Sequence, residues 1–417
     1  MKTNLAEAIR NTPQGQEANA ILRACVHCGF CTATCPTYQL LGDELDSPRG
    51  RIYLIKEVLE GNEVSAKTQL HLDRCLTCRS CESTCPSGVR YGRLVDIGRD
   101  IVDKQVNRSV VESAKRSLLN AVIANQSVFK PLLRIGQTVR PLLPPALRGK
   151  VPASSKGNAT WPDERHDRKM LVLDGCVQPV LAPEINAAAA RVLDHIGISL
   201  LKAPAAGCCG AVTFHLNKQQ DALDYMRRNI DAWWPLVEDG AEAIVMTASG
   251  CATMVRDYGH LLVNDAAYAA KAERVTELTR DLSEIISTES GRLQQKLAAS
   301  PSLEQGEKPR IAFHSPCSLQ HGQQIRGKVE AVLRACGYEL SAVPEPHLCC
   351  GSAGTYSILQ ETLSQRLLKN KVAALESGQP VAIATANIGC LTHIRSGTQL
   401  PVRHWIELLD ERLQPIS

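Results

Sequence analysis

The chain has 417 residues, is 44% hydrophobic and 22% charged, and sets 47 Lys and Arg against 43 Asp and Glu for a formal net charge of +4. That near-balance gives no support to a nucleic-acid partner, and no run of about 18 apolar residues is present to cross a bilayer. The length and ordinary composition predict two or three domains. The opening MKTNLAEAIRNTPQGQEANA lacks an apolar signal core, so a cytoplasmic location is expected. The anomaly is 17 cysteines, which a reducing compartment would not keep as disulfides and which point instead to metal binding or redox chemistry.

In chain order, the first feature is CVHCGFCTATCP, in which Cys25, Cys28, Cys31 and Cys35 are followed by Pro36. The same spacing returns as Cys75, Cys78, Cys81, Cys85 and Pro86. Between the copies PRGRIYLIKEVLEGNE predicts an amphipathic helix, and GRLVDIGRDIVDKQV predicts another after the second copy. Residues 1–103 therefore read as a small helical ferredoxin-type domain. Soft thiolates are the ligands of iron–sulfur clusters, and a cube of four irons needs four of them converging from different directions. The two-residue spacings let one loop wrap three corners. As in two-cluster ferredoxins generally, the fourth cysteine before proline is assigned to the other cluster. Cys25, Cys28, Cys31 and Cys85 are thus expected to hold one 4Fe–4S cluster, and Cys75, Cys78, Cys81 and Cys35 a second. Structural zinc normally takes two separated cysteine pairs, not this arrangement.

Residues 104–168 form a basic segment, part helix and part Pro/Gly/Ser-rich linker, with nine Lys/Arg and three Asp/Glu from Lys130 to Lys169. It reads as a solvated connection, with a surface for anionic lipid or a partner as the alternative. From 169 onward the pattern turns α/β and repeats. Strand candidates KMLVLDG, ISLLKA and AEAIVMTAS alternate with helices through EINAAAARVLDHIG and NKQQDALDYMRRNIDAWW; RIAFHSP, YELSAV and VAIATAN alternate with RGKVEAVLRACG and ETLSQRLLKNKVAALESG. Cys176, Cys208, Cys209 and Cys251 correspond to Cys317, Cys349, Cys350 and Cys390, each set built on a Cys-Cys-Gly. Expected domains are 169–300 and 301–417. Each set of four thiols suffices for one further iron–sulfur or zinc site, against the plainer reading of buried reduced cysteines. Met254 and His393 stand three residues after the last cysteine of each set, and His393 is a candidate fifth ligand. His314 and His347 flank the second set, where the first has Leu173 or Asp174 and Ala206; the second set is accordingly the stronger candidate for a metal or acceptor site. Cys336, on a helix, reads as core. No G-x-G-x-x-G, P-loop or HExxH occurs, so substrate chemistry is expected to come from a flavin on a partner.

Taken together, CVHCGFCTATCPTYQLLGDELDSPRGRIYLIKEVLEGN, DRCLTCRSCESTCPSGVRYGRLVDIGRDIV, GCVQP, AGCCGA, ASGC, CCGSAGTY, ANIGC and VRHWIELL closely resemble the glycolate oxidase iron–sulfur subunit family over nearly the whole chain, least in 104–168. The resemblance implies an α+β multidomain protein: a two-cluster ferredoxin-type domain followed by two duplicated α/β cysteine-rich (CCG) domains. It implies an electron-transfer subunit without its own substrate site. Its partners would be an FAD-containing catalytic subunit and a second flavin-domain subunit, the reaction glycolate to glyoxylate, the acceptor membrane quinone, and the location the inner face of the cell membrane, held peripherally. The CCG unit is shared with iron–sulfur subunits of lactate-utilisation complexes, anaerobic glycerol-3-phosphate dehydrogenase and heterodisulfide reductase, so a related dehydrogenase, or a stand-alone disulfide reductase, is the alternative. The fullest CCG pattern ends in C-x-x-C; Met254 and His393 replace that last thiol, which puts a five-cysteine cluster in doubt.

Overall fold

The computed structural model describes residues 1–142, 144, 152–153, 157–299 and 308–413. Parts of the basic segment and of the expected junction at 300–301 lie outside the described residues.

Helices Pro13–Ala24, Pro36–Leu41, Pro48–Leu59, Ala66–Asp73, Ser80–Thr84 and Tyr91–Gln105 build the N-terminal third, the first three of them opening on proline. Proline suits the first helical position because its missing N–H would be unpaired there anyway. Thr12 and Ser47 cap two of these helices, each hydroxyl accepting a bond of 3.0 Å, from the N–H of Gly15 and of Gly50. Leu22, Ile55, Leu59, Leu72, Leu94 and Val95 close the core between them. Helix Tyr91–Gln105 crosses the division expected after residue 103. Among the described residues, the segment beyond it holds the α-helices Val110–Ile123 and Gln126–Val139.

Two guanidinium groups lie inside this small domain. Arg51 is 1% exposed and Asp46 0%. Arg51 donates to the Asp46 carboxylate (3.1 Å), to Thr37 Oγ1 (3.1 Å) and to the His71 carbonyl (2.7 Å), and Arg74 reaches the other Asp46 oxygen at 2.8 Å. Arg99 donates to the carbonyls of Leu72 (2.7 Å) and Cys75 (2.6 Å) and to Thr77 Oγ1 (3.0 Å). The segment just after Cys35 and the second cysteine loop are thereby tied to buried cations.

Each later unit is a four-stranded, all-parallel sheet with central strands of continuous apolar burial, as expected when helices cover both faces. The first contains β1 (Lys169–Val172), β2 (Ser199–Lys202), β3 (Ile244–Met246) and β4 (Thr279–Asp281), in the order β2-β1-β3-β4. The second contains β5 (Arg310–His314), β6 (Glu339–Leu340), β7 (Ala382–Thr385) and β8 (Val402–His404), in the order β6-β5-β7-β8. β4 and β8 were not among the expected strands. The units share one core, in which Val172, Ile185, Ile311, Phe313 and Trp405 all take part. Arg191 pairs with Asp410 at 2.6 Å across it, and the Nε2 of buried His404 lies 3.0 Å from the Thr247 carbonyl.

Removing one partner of a buried ion pair leaves the other charge uncompensated, at about 3–5 kcal/mol. Asp46→Ala is therefore expected to destabilise the N-terminal domain by about that amount, read by denaturant unfolding. A loss below about 1 kcal/mol would show that Arg51 is held by its other acceptors alone.

Candidate metal centres

The first cysteine loop begins where helix Pro13–Ala24 ends. Cys25 is extended (φ −77°, ψ 120°), and the backbone then takes left-handed conformations at His27 (φ 58°) and Gly29 (φ 86°). The second loop repeats this at Thr77 (φ 52°) and Arg79 (φ 58°). Such alternation folds three side chains around one point. Cys35 and Cys85 sit just outside their loops, again extended, before Pro36 and Pro86. Cys25, Cys28, Cys31, Cys81 and Cys85 line one cavity, together with Arg49 and Tyr91. Cys85 thus joins the loop 60 residues earlier. Around the second loop, Cys35 and Cys75 lie near enough to Cys78 and Cys81 to raise their pKa values, after burial as the larger cause. Tyr91 donates to Cys75 Sγ at 3.6 Å. Burial pushes the Cys31 thiol up to about 11. Thiols held at such a place need a cation to become thiolates, and a soft donor set of four around a cavity fits an iron–sulfur cluster.

In the two parallel sheets, eight of the nine remaining cysteines, all but Cys336, stand beyond the carboxyl ends of the strands, where sites collect in α/β folds. Cys176 follows β1, Cys208 and Cys209 follow β2, and Cys251 lies in the first turn of helix Ser249–Arg256 after β3. Cys317, Cys349, Cys350 and Cys390 occupy the matching places, Cys390 in helix Ile388–Arg395 after β7. The glycines of the Cys-Cys-Gly turns, Gly210 and Gly351, have φ of 90° and 92°. A Cβ on Gly351 would stand 2.7 Å from the Ser364 carbonyl oxygen, so the turn needs glycine both for its backbone and for its approach to helix Glu361–Glu376. The amide of Gly210 donates to Cys208 Sγ at 3.5 Å and that of Gly351 to Cys349 Sγ at 3.4 Å.

The two sets differ in surroundings. In the first, Cys208 is held well below the usual thiol range by the thiols of Cys176 and Cys209 and the Gly210 amide, with Arg228 nearby. Cys176 and Cys208 pack with Ala124 and Tyr225. In the second, Cys317 and Cys349 stand 3.9 Å apart and pack with Leu76, Cys78 and Tyr356. The Tyr356 hydroxyl donates to the Arg74 carbonyl at 3.2 Å. The second set therefore lies against the Cys75–Cys81 loop. His393, the candidate fifth ligand, is instead 3.1 Å from Ser364 Oγ, which in turn donates to the Gly351 carbonyl at 2.8 Å. The imidazole brought beside Cys350 and Cys390 is that of His314, which burial and Lys371 push down to about 3. Its place was open to sequence reasoning only as a position three before Cys317, matched by Leu173 in the first unit. Met254 is buried in the core of the first unit, and Cys336 is core as well.

Two family models match the chain. A "4Fe-4S dicluster domain" family model matches residues 21–89, and a "Cysteine-rich domain" model matches 170–256 and 311–395. The chain is 56% identical to the glycolate oxidase iron-sulfur subunit of Escherichia coli (strain K12), over 99% of this chain and 100% of that one. It is 28% identical to a probable glycolate oxidase iron-sulfur subunit of Bacillus subtilis, over 90% and 88%, and 27% identical to lactate utilization protein A of Bacillus velezensis, over 57% and 97%. The protein carries iron–sulfur clusters.

If each fourth cysteine serves the opposite loop, Cys35→Ser alters the cluster signal assigned to Cys75, Cys78 and Cys81, and Cys85→Ser the other. Electron paramagnetic resonance of the two reduced variants checks this. Loss of the sequence-adjacent cluster in each case would overturn the crossed assignment.

Proposed function

We propose, for a chain that belongs to the glycolate oxidase iron–sulfur subunit family, that it is the electron-transfer subunit of a complex that oxidises glycolate to glyoxylate. Its partners are then an FAD-containing catalytic subunit and a second flavin-domain subunit, and its acceptor is a quinone. Cys25, Cys28, Cys31 and Cys85 hold one cluster and Cys35, Cys75, Cys78 and Cys81 the other, within an N-terminal domain at about 1–103, joined through 104–168 to CCG domains at 169–300 and 301–417. When bound, such clusters exchange single electrons.

The observation that carries this reading is the serial placement of three thiol sites. Cys28 is exposed in a loop whose Val26 and Phe30 are 67% and 61% exposed. Large apolar side chains at that exposure around a redox site mark a surface for a partner. Cys81 borders the first cavity while belonging to the second loop, and Cys78 packs against Cys317 and Cys349. The chain's own residues thus present one site to a partner, bury the next, and set a third thiol group behind it. The likeness to the lactate relative covers 57% of this chain, whereas that to the glycolate relative covers 99% of it.

We place the complex at the inner membrane face through helix Gln126–Val139. No helix among the described residues is long and apolar enough to cross a membrane. That helix nevertheless exposes Val128, Leu132, Ile135 and Val139, at intervals of four, three and four residues, which is one helical face. Between Glu112 and Asp163 the sequence has no acidic residue and eight Lys or Arg. An apolar stripe within an all-cationic stretch matches an anionic bilayer surface.

The isolated chain is expected to contain no flavin and to leave a dye unreduced with glycolate, and to support dye reduction once combined with its flavin partners. Phe30→Glu should raise the concentration needed for half-maximal combination by about tenfold, since seating a carboxylate in an apolar contact costs at least about 1.4 kcal/mol. Glycolate-dependent reduction by the chain alone would remove the electron-transfer reading. For the membrane face, Leu132→Glu with Ile135→Glu should abolish co-sedimentation of the complex with phosphatidylglycerol vesicles. Unchanged sedimentation, or loss of subunit assembly instead, would reassign this helix to a protein partner.

A further inference from the structure

One imidazole nitrogen of His314 and the sulfurs of Cys350 and Cys390 all lie within 4.8 Å of one another. The three residues are 2%, 0% and 4% exposed, and they come from three separate strand ends: His314 closes β5, Cys350 lies in the turn after β6, and Cys390 follows β7. His314 Nε2 is buried with no hydrogen-bond partner. A buried unpaired nitrogen costs about 1–3 kcal/mol, so its place calls for a partner of another kind. The thiols beside it are already set as ligands. The Asn387 amide donates to Cys390 Sγ at 3.7 Å, and the Thr385 hydroxyl donates to the His314 carbonyl at 3.1 Å, fixing the strand end that carries the ring.

We propose that His314, Cys350 and Cys390 bind a single tetrahedral, thiophilic divalent cation of the zinc class, so that this unit carries a mononuclear site and not a third cluster. The spacing separates the two chemistries. Around zinc, with Zn–S of about 2.3 Å and Zn–N of about 2.0 Å, tetrahedral ligands stand about 3.5–3.8 Å from one another. A cube, by contrast, sits between its thiolates and holds them further apart; no three of Cys25, Cys28, Cys31 and Cys85 gather within the span that His314, Cys350 and Cys390 do. Charge agrees as well. Two thiolates, a neutral imidazole and a divalent cation sum to zero, which suits a place this deeply buried. A neutral fourth ligand, water or the protonated Cys349 thiol that is hydrogen-bonded to Cys350, keeps that sum at zero. The first unit cannot copy the site, because Leu173 stands where His314 does.

The test is metal analysis of the purified full-length chain, with zinc-edge X-ray absorption. The wild type should hold about one zinc per chain, with a first shell of mixed sulfur and nitrogen. His314→Ala and Cys390→Ser should each lose that zinc while the resonance signals of the reduced N-terminal clusters persist and report folding. Should His314→Ala fail to fold, His314→Cys carries the test: it should keep the zinc with a sulfur-richer shell. Absence of zinc from wild type produced in zinc-supplemented medium, zinc retained in full by His314→Ala, a shell lacking nitrogen, or iron in place of zinc at these residues would each overturn the proposal.

Discussion

The buried pair of Arg51 and Asp46 is the interaction on which the arrangement of thiols depends. Asp46 precedes the capped helix Pro48–Leu59 and is met from inside by Arg51 and from the next helix by Arg74. Its carbonyl accepts from Thr37, two residues after Cys35. One residue, through its carbonyl and its carboxylate, therefore fixes the segment carrying Cys35 relative to the helix that leads into Cys75. Arg99 repeats the device from the opposite side by gripping the Cys75 carbonyl. Guanidinium suits this task because its planar fork spans several fixed acceptors at once, where an ammonium would act as a point charge. Loops held this way have their cysteine positions set by the protein itself, so less ordering remains to be done when a metal group arrives.

The duplicated units show how one folding pattern acquires two characters. Both place vicinal cysteines on a left-handed glycine turn at the carboxyl end of a parallel sheet. What differs is the neighbour. The second unit's Cys317 and Cys349 pack on Leu76 and Cys78 of the N-terminal domain, while the first unit's Cys176 and Cys208 pack under the end of helix Val110–Ile123. The first unit instead meets the N-terminal domain through ions, with Asp257 accepting from Arg79 and Arg93. Apolar contact around thiols excludes water; ion pairs at an edge fix orientation with little net stabilisation. The shared core beneath both units keeps the two sheets in register with each other.

Much of this was legible before any coordinates. The two cysteine runs are local patterns in which spacing and proline carry the chemistry, and the internal repeat needs only comparison of the chain with itself. Helices such as Pro48–Leu59 announce themselves through Ser47, Pro48 and an apolar period. The strands β4 and β8 did not, because three residues such as Thr279–Asp281 carry too short a period to separate from a loop. Their assignment comes from pairing with β3 and β7.

Sequence alone determined that sixteen cysteines fall into four sets, and that the chain is an iron–sulfur protein with a repeated α/β unit. Thiol chemistry and periodicity are properties of short stretches, so they survive being read in one dimension. Only tertiary structure decided which imidazole accompanies Cys350 and Cys390. His393 is three residues from Cys390 in sequence, yet its helix turns it toward Ser364; His314 is 76 residues from Cys390, yet β5 pairs directly with β7 and brings the two together. The same holds for Cys78 against Cys317. Proximity across a sheet or between domains is fixed by strand pairing and shared burial, which sum contributions from the whole chain and leave no mark at the residues themselves.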